Sequence, residues 1–284
     1  MIQRTLRYGL HFTLLVAGLV FAGGHSIALA ADNPVRQWRT AHEREIVDRL
    51  FSYLALPNVA RNDADISANA RWLEQAFTER GFQVVLSDDA FAPVVFAQFM
   101  VPEARGSLLF YIHYDGQPVT PAEWTWCPPY SPCLVGPGGV IELVPDLQQF
   151  DPQWRIYARS ASDDKAPLIA LLSAFDALQA TGQTPAWNIK VVLDGQEEAG
   201  SANFRRFLLE HQVEFAADLA ITLDGPQHPS GYATQYFGGR GSASLTLTVH
   251  TASTDLHSGN YGNWAPDPSF RLAQQSARPD QDPT

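Results

Sequence analysis

The stretch Val191-Val192-Leu193-Asp194-Gly195-Gln196-Glu197-Glu198-Ala199-Gly200-Ser201 constrains this chain most. An apolar run with the character of a buried strand ends in two adjacent carboxylates, and a helix opens at Ser201. Ligands of open α/β sheets sit outside the carboxyl ends of strands. Two neighbouring carboxylates placed there repel each other unless a cation or a shared proton compensates. Alone, the pair reads as readily as a solvated acidic turn, because glutamate is mostly exposed. The weight comes from three further segments built the same way.

Taken in order, apolar residues at Ile46, Val47, Leu50, Phe51 and Leu54 carry a helical spacing that Pro57 stops. A second helix, with Asp65 as its expected cap, points Ala70, Leu73, Ala76 and Phe77 inward and ends at Gly81. Residues 82–86 and 94–101 read as strands. Ser107 to Ile112 reads as a buried strand that ends in His113-Tyr114-Asp115-Gly116, the second polar cluster. Residues 117–158, rich in Pro, Gly and Trp, read as a long ordered loop with short extended pieces. Trp124, Trp126 and Tyr130 serve local packing there. Ser162-Asp163-Asp164-Lys165 then opens a helix through Leu168, Leu171, Leu172, Phe175 and Leu178; acids at such a start ordinarily act as caps. Residues 187–193 form the strand feeding Glu197 and Glu198, and residues 218–223 form another, which ends in Asp224-Gly225-Pro226.

Strands and helices alternate, which predicts an α/β fold with a mixed sheet flanked by helices. After Gly231 the texture changes. Residues 244–250 alternate polar and apolar as a half-exposed strand does, and a helix is expected from Pro268. The expected organisation is a signal peptide over 1–30, a catalytic domain over 31–235, and the start of an incomplete α+β lid domain over 236–284.

The first thirty residues have the layout of a secretory signal: Arg4 and Arg7, an apolar run to Ala22, and Ala28-Leu29-Ala30 before the cleavage point. Cleavage takes the net charge from −11 to −13. That balance argues against a nucleic-acid partner. The expected location is periplasmic or secreted, with no membrane attachment after cleavage. In an oxidising compartment Cys127 and Cys133 can close a small disulfide loop, and their spacing is a poor match to zinc sites.

Four strand ends or adjoining turns thus present His113 with Asp115, Asp163 with Asp164, Glu197 with Glu198, and Asp224. One imidazole and several carboxylates suit a divalent metal, zinc first, then manganese or cobalt. His-x-Asp on a strand puts both side chains on one face, so Asp115 can fix the tautomer of His113.

These segments resemble the zinc-dependent exopeptidase family of carnosinase, cytosolic non-specific dipeptidase, carboxypeptidase G, succinyl-diaminopimelate desuccinylase and aminoacylase. The resemblance rests on His113-Tyr114-Asp115-Gly116-Gln117-Pro118, Ser162-Asp163-Asp164-Lys165, Gly195-Gln196-Glu197-Glu198-Ala199-Gly200-Ser201 and the lid segment Asp255-Leu256-His257-Ser258-Gly259. The last is in the form typical of the dipeptidase branch. The resemblance implies two divalent ions. His113 and Asp224 would hold one, Glu198 the other, and Asp163 would bridge them. It implies Glu197 as general base, Asp115 as the residue orienting His113, and His257 steadying the oxyanion from the lid, usually across a homodimer. It further implies a cis peptide bond between Asp163 and Asp164. The implied reaction is hydrolysis of a dipeptide or, by the same attack of water, of an N-acyl amino acid.

Three positions depart from the family pattern. Ile112, Ser160 and Ala166 stand where glycines are usual. The family's last metal ligand is a downstream His, and no His follows His257 here, so the chain reads as a fragment, with a non-catalytic product as the alternative.

Overall fold

A computed structural model of the chain describes residues 33–87, 92–144, 146–225, 228–232, 234–241 and 243–277. The signal-peptide reading of 1–30 falls outside them. The chain divides into two compact units, Met1–Pro226 and Gln227–Thr284. Among the described residues no helix is long and apolar enough to cross a membrane.

The first unit opens with helices α1 (Pro34–Ala41), α2 (Glu43–Leu54) and α3 (Asp63–Thr78). Strands β1 (Gln83–Leu86), β2 (Val95–Phe99) and β3 (Ser107–His113) follow. The cap of α3 is Asn62, not Asp65: its side chain accepts from the amides of Ala64 and Asp65, so the helix starts earlier than the sequence suggested. The long segment after β3 is more ordered than periodicity showed. It folds β4 (Cys133–Gly136), β5 (Gly139–Ile141) and β6 (Arg155–Tyr157) into a small antiparallel sheet of order β5-β4-β6. Cys127 and Cys133 are joined in a disulfide. Trp124 packs locally, edge-on to Tyr157 and beneath the guanidinium of Arg159. Next come α4 (Lys165–Ala180), β7 (Asn188–Asp194), α5 (Ala202–Glu210) and β8 (Leu219–Thr222).

The main sheet has the order β1-β2-β7-β3-β8. β2 runs antiparallel to both β1 and β7, while β3 is parallel to β7 and β8. Side chains alternate across it with period two. Val95, Ala97, Val191 and Leu193 pack into the larger core with Leu54 of α2, Leu73 and Phe77 of α3, and Leu168 and Leu172 of α4. Phe96 and Val192, one residue out of step, pack on the other face against Phe207 of α5 and Phe215. Helices on both faces explain why Val191, Val192 and Leu193 of β7 are apolar without alternation. Ile112 is wholly buried in the larger core, with Ala166 packed at its margin, so both substituted glycine positions are filled by apolar contact.

In the second unit the described residues include α6 (Ser258–Tyr261) and the expected helix, here α7 (Pro268–Ser276), capped by Asp267. Residues 244–250 form no strand, contrary to their alternation. Among the described residues no strand pairs with this segment, and alternation cannot supply a partner.

Candidate metal centre

Three parallel strands end together at one edge of the main sheet. His113 closes β3 directly opposite Asp194 at the end of β7, and Tyr111 faces Thr222 on β8. The ladder continues one step, with Leu223 N–H donating to Tyr111 O at 2.9 Å, and Asp224 follows immediately. The parallel register therefore brings His113, the turn after β7 and Asp224 to the same edge.

His113 is buried, its side chain 1 % exposed, and both ring nitrogens face carboxylates. Nδ1 lies 3.2 Å from Asp115 Oδ1, and Nε2 lies 2.6 Å from Asp163 Oδ1. Burial by itself would lower its pKa. The hydrogen bond and charge of Asp115, with Asp164 and Asp163 behind it, outweigh burial and raise it to about 10. Each ring nitrogen faces an oxygen, so Nδ1–H can donate to Asp115 while Nε2 carries either a proton or, in its place, a metal ion.

The peptide between Asp163 and Asp164 is cis, as the resemblance implied. The two side chains have different surroundings. That of Asp163 is 68 % exposed and reaches His113 Nε2. That of Asp164 is buried and accepts from the backbone N–H of His113 at 3.3 Å. Burial first, then the neighbouring Asp224 and Asp163, raise the pKa of Asp164 to about 8, although His113 opposes this.

One ligand atom each from His113, Asp164 and Asp224 lies within 4.8 Å of the others. The sequence reading gave Asp164 no role, and its pairing in Asp163-Asp164 could not tell which carboxylate turns where. Such a donor set, an imidazole nitrogen with carboxylate oxygens, fits a divalent ion. Asp163, on the open side of the imidazole, is in reach of its Nε2.

The turn after β7 is a single 3-10 turn, Glu197–Ala199. Asp115, wholly buried, accepts from the amide of Glu197 at 3.1 Å through Oδ1 and from that of Glu198 at 3.0 Å through Oδ2. Burial, then the charges of Asp224, Glu198 and Asp115, raise the pKa of Glu197 against an opposing effect of His113. That is the direction a general base at neutral pH requires. Glu198 Oε2 accepts from Gln117 Nε2 at 2.5 Å, a contact between two motifs that the sequence did not connect.

Beneath these groups lies a buried polar frame. Asp194 Oδ1 accepts from Gln196 N–H at 2.8 Å, and its Oδ2 from the Tyr111 hydroxyl at 3.3 Å. Asn58 Nδ2 donates to Tyr114 O at 2.9 Å and to Ser160 Oγ at 3.0 Å, and Gly116 N–H donates back to Asn58 O at 2.7 Å. Ser160 has φ +58°, the left-handed conformation in which glycine is usual. A methyl on Gly116 would collide with Ser160 Oγ, so serine at one position is matched by glycine at the other. Lys165 Nζ donates to Tyr53 O and Leu56 O, both at 2.8 Å, and ties the metal motif to the end of α2.

His257 belongs to the second unit, where its Nδ1 accepts from Gly259 N–H at 3.0 Å and caps α6. His211 and His228 have local partners, Glu214 and Ser230.

Comparison with known proteins matches residues 109–278 to the model of peptidase family M20/M25/M40. The chain is 26% identical over 246 residues to the Cys-Gly metallodipeptidase dug1 of Schizosaccharomyces pombe, covering 80% of this chain and 48% of the relative. It is 31% identical over 208 residues to the cysteinylglycine-S-conjugate dipeptidase of Corynebacterium striatum, covering 72% and 41%. Among solved structures it is similar to the M20 family metallo-carboxypeptidase Sso-CP2 of Sulfolobus solfataricus, with TM-score 0.61, 27% identity, and coverage of 82% of this chain and 49% of that one. The chain thus spans about half the length of these relatives. The matched segment starts within β3 and takes in every strand end that carries the site, so this chain belongs to peptidase family M20/M25/M40.

Proposed function

We propose that this chain carries the catalytic face of a metal-dependent dipeptidase. The observation that bears most weight is the meeting of His113, Asp164 and Asp224 at the carboxyl edge of three parallel strands, with Glu197 on the adjoining turn. His113 and Asp224 would hold one divalent ion with Asp164 in reach of both, Glu198 would hold a second, and Asp163, 2.6 Å from His113 Nε2, would serve both, with zinc the first choice. A bound ion of this kind polarises the scissile carbonyl and makes water a better nucleophile.

The chain's own residues do the rest. Asp115 holds Nδ1 of His113 and so presents Nε2 to the pocket. Glu197, its pKa raised, takes the proton from the attacking water and returns it to the leaving amine. The developing oxyanion is assigned to His257, following the family resemblance. The relatives named for Cys-Gly and cysteinylglycine conjugates favour dipeptides over N-acyl amino acids as substrates. Export through residues 1–30 and a homodimer are part of the same reading.

The test uses purified protein, zinc titration calorimetry and hydrolysis of Cys-Gly. Zinc binding with dipeptide turnover is expected, and Glu197→Gln should lower kcat by roughly 10²–10⁴-fold while zinc is still bound. Undiminished turnover in that variant rules out the base; absence of zinc binding rules out the metal centre.

A further inference from the structure

Asp115 is placed to do more than orient a histidine. Its carboxylate is wholly buried and lies two residues beyond β3. Each of its oxygens is taken by the turn that carries Glu197 and Glu198: Oδ1 by the Glu197 amide at 3.1 Å and Oδ2 by the Glu198 amide at 3.0 Å. The first amides of a helical turn have no acceptor within the turn. Here the acceptor comes from a different strand, 82 and 83 residues away in sequence. The same Oδ1 also faces His113 Nδ1 at 3.2 Å.

We propose that Asp115 is the positioning residue of the glutamate pair, setting the height of Glu197 and Glu198 above the sheet edge while it aims His113. One carboxylate then spaces a metal ligand and a base relative to each other. β3 and β7 are already locked in register, with His113 opposite Asp194, and Gln196 N–H is held by Asp194 Oδ1; the two amide bonds tie the next two residues of the turn to β3. Asparagine at 115 keeps one acceptor oxygen but turns an NH₂ toward the second amide, which has nothing to accept it. The consequence for catalysis rests on the dipeptidase reading; the hold on the two amides does not.

The deciding experiment is residue-resolved hydrogen exchange on metal-free protein. In the wild type the amides of Glu197 and Glu198 should exchange roughly ten- to a hundredfold more slowly than unprotected amides, the range that hydrogen bonds to a charged acceptor carry. Asp115→Asn should remove most of that protection at these two amides, while the amides of β7 stay protected. His113→Asn, whose side-chain nitrogen takes the place of Nδ1, should leave both amides protected and abolish zinc binding. Unprotected wild-type amides overturn the proposal, and so does protection that survives Asp115→Asn. If Asp115→Asn fails to fold, the wild-type and His113→Asn measurements still decide. Failure of zinc binding with protected amides would count against the dipeptidase reading alone. In zinc-loaded protein, Asp115→Asn should lower kcat with KM changed by less than about threefold, the signature of a misplaced base.

Discussion

Lys165→Met tests whether the metal motif is anchored from below. Lys165 is wholly buried, and its ammonium donates at 2.8 Å to each of Tyr53 O and Leu56 O at the end of α2, 4.3 Å from the centre of the Tyr53 ring. A cation at a helix C-terminus is favourable, by up to about 2 kcal/mol when partly buried. Burial outweighs it and lowers the lysine pKa to about 7, so the charge itself is net unfavourable there and methionine relieves that cost. What methionine removes is the donor for two carbonyls while leaving the stem volume almost unchanged. An orphaned buried acceptor costs about 1–3 kcal/mol, so the two together cost about 2–6 kcal/mol, and relief of the buried charge offsets part of this to leave a loss on the order of 3 kcal/mol. In a unit of this size each kcal/mol moves Tm by about 2–4 °C, which predicts a fall on the order of 10 °C. Near-ultraviolet circular dichroism on heating, with urea melts at 25 °C, measures it. A fall below about 2 °C, or any rise, would refute the view that these carbonyls depend on Lys165.

Other perturbations probe the frame around the site. Gly195→Ala adds a methyl that overlaps the Tyr114 ring and hydroxyl and comes within 3.1 Å of Ile66 Cγ2. Overpacking of this kind should cost about 1–3 kcal/mol in urea melts. Asp176→Ala strips the partner from Arg49 at 2.6 Å and from Arg80 at 2.7 and 2.8 Å. It should destabilise by about 1–3 kcal/mol, and an unchanged urea midpoint would show the trio to be energetically idle. Lys190 Nζ donates to Glu214 O at 2.6 Å and Ala216 O at 2.7 Å, and burial lowers its pKa. The unfolded chain therefore binds more protons in the alkaline window below the free lysine value of about 10.4. Wild-type stability relative to Lys190→Met should then rise as pH rises through that window, and a flat difference would contradict the lowered pKa.

Local rules determined much of this protein from sequence alone. The unbroken apolar run Val191 to Leu193, leading into a turn of acids and glycines, read as a buried strand, and the 3.6-residue spacing in α3 and α4 showed which sides turn inward. Polar clusters at strand ends marked the edge where ligands gather, because the chain must leave the sheet there. Tertiary structure alone decided the polar contacts between remote segments. No periodicity states that Asp115 takes the amides of Glu197 and Glu198, that Asn58 joins Tyr114 to Ser160, or that Lys165 closes α2. It also decided that Asp164 is buried beneath His113 while Asp163 stays exposed, and that residues 244–250 lack a strand despite their alternation. Burial leaves a repeating trace along the chain because each residue's environment repeats with its element. A hydrogen bond between segments leaves none, since it exists only once the strands are in register and the helices packed.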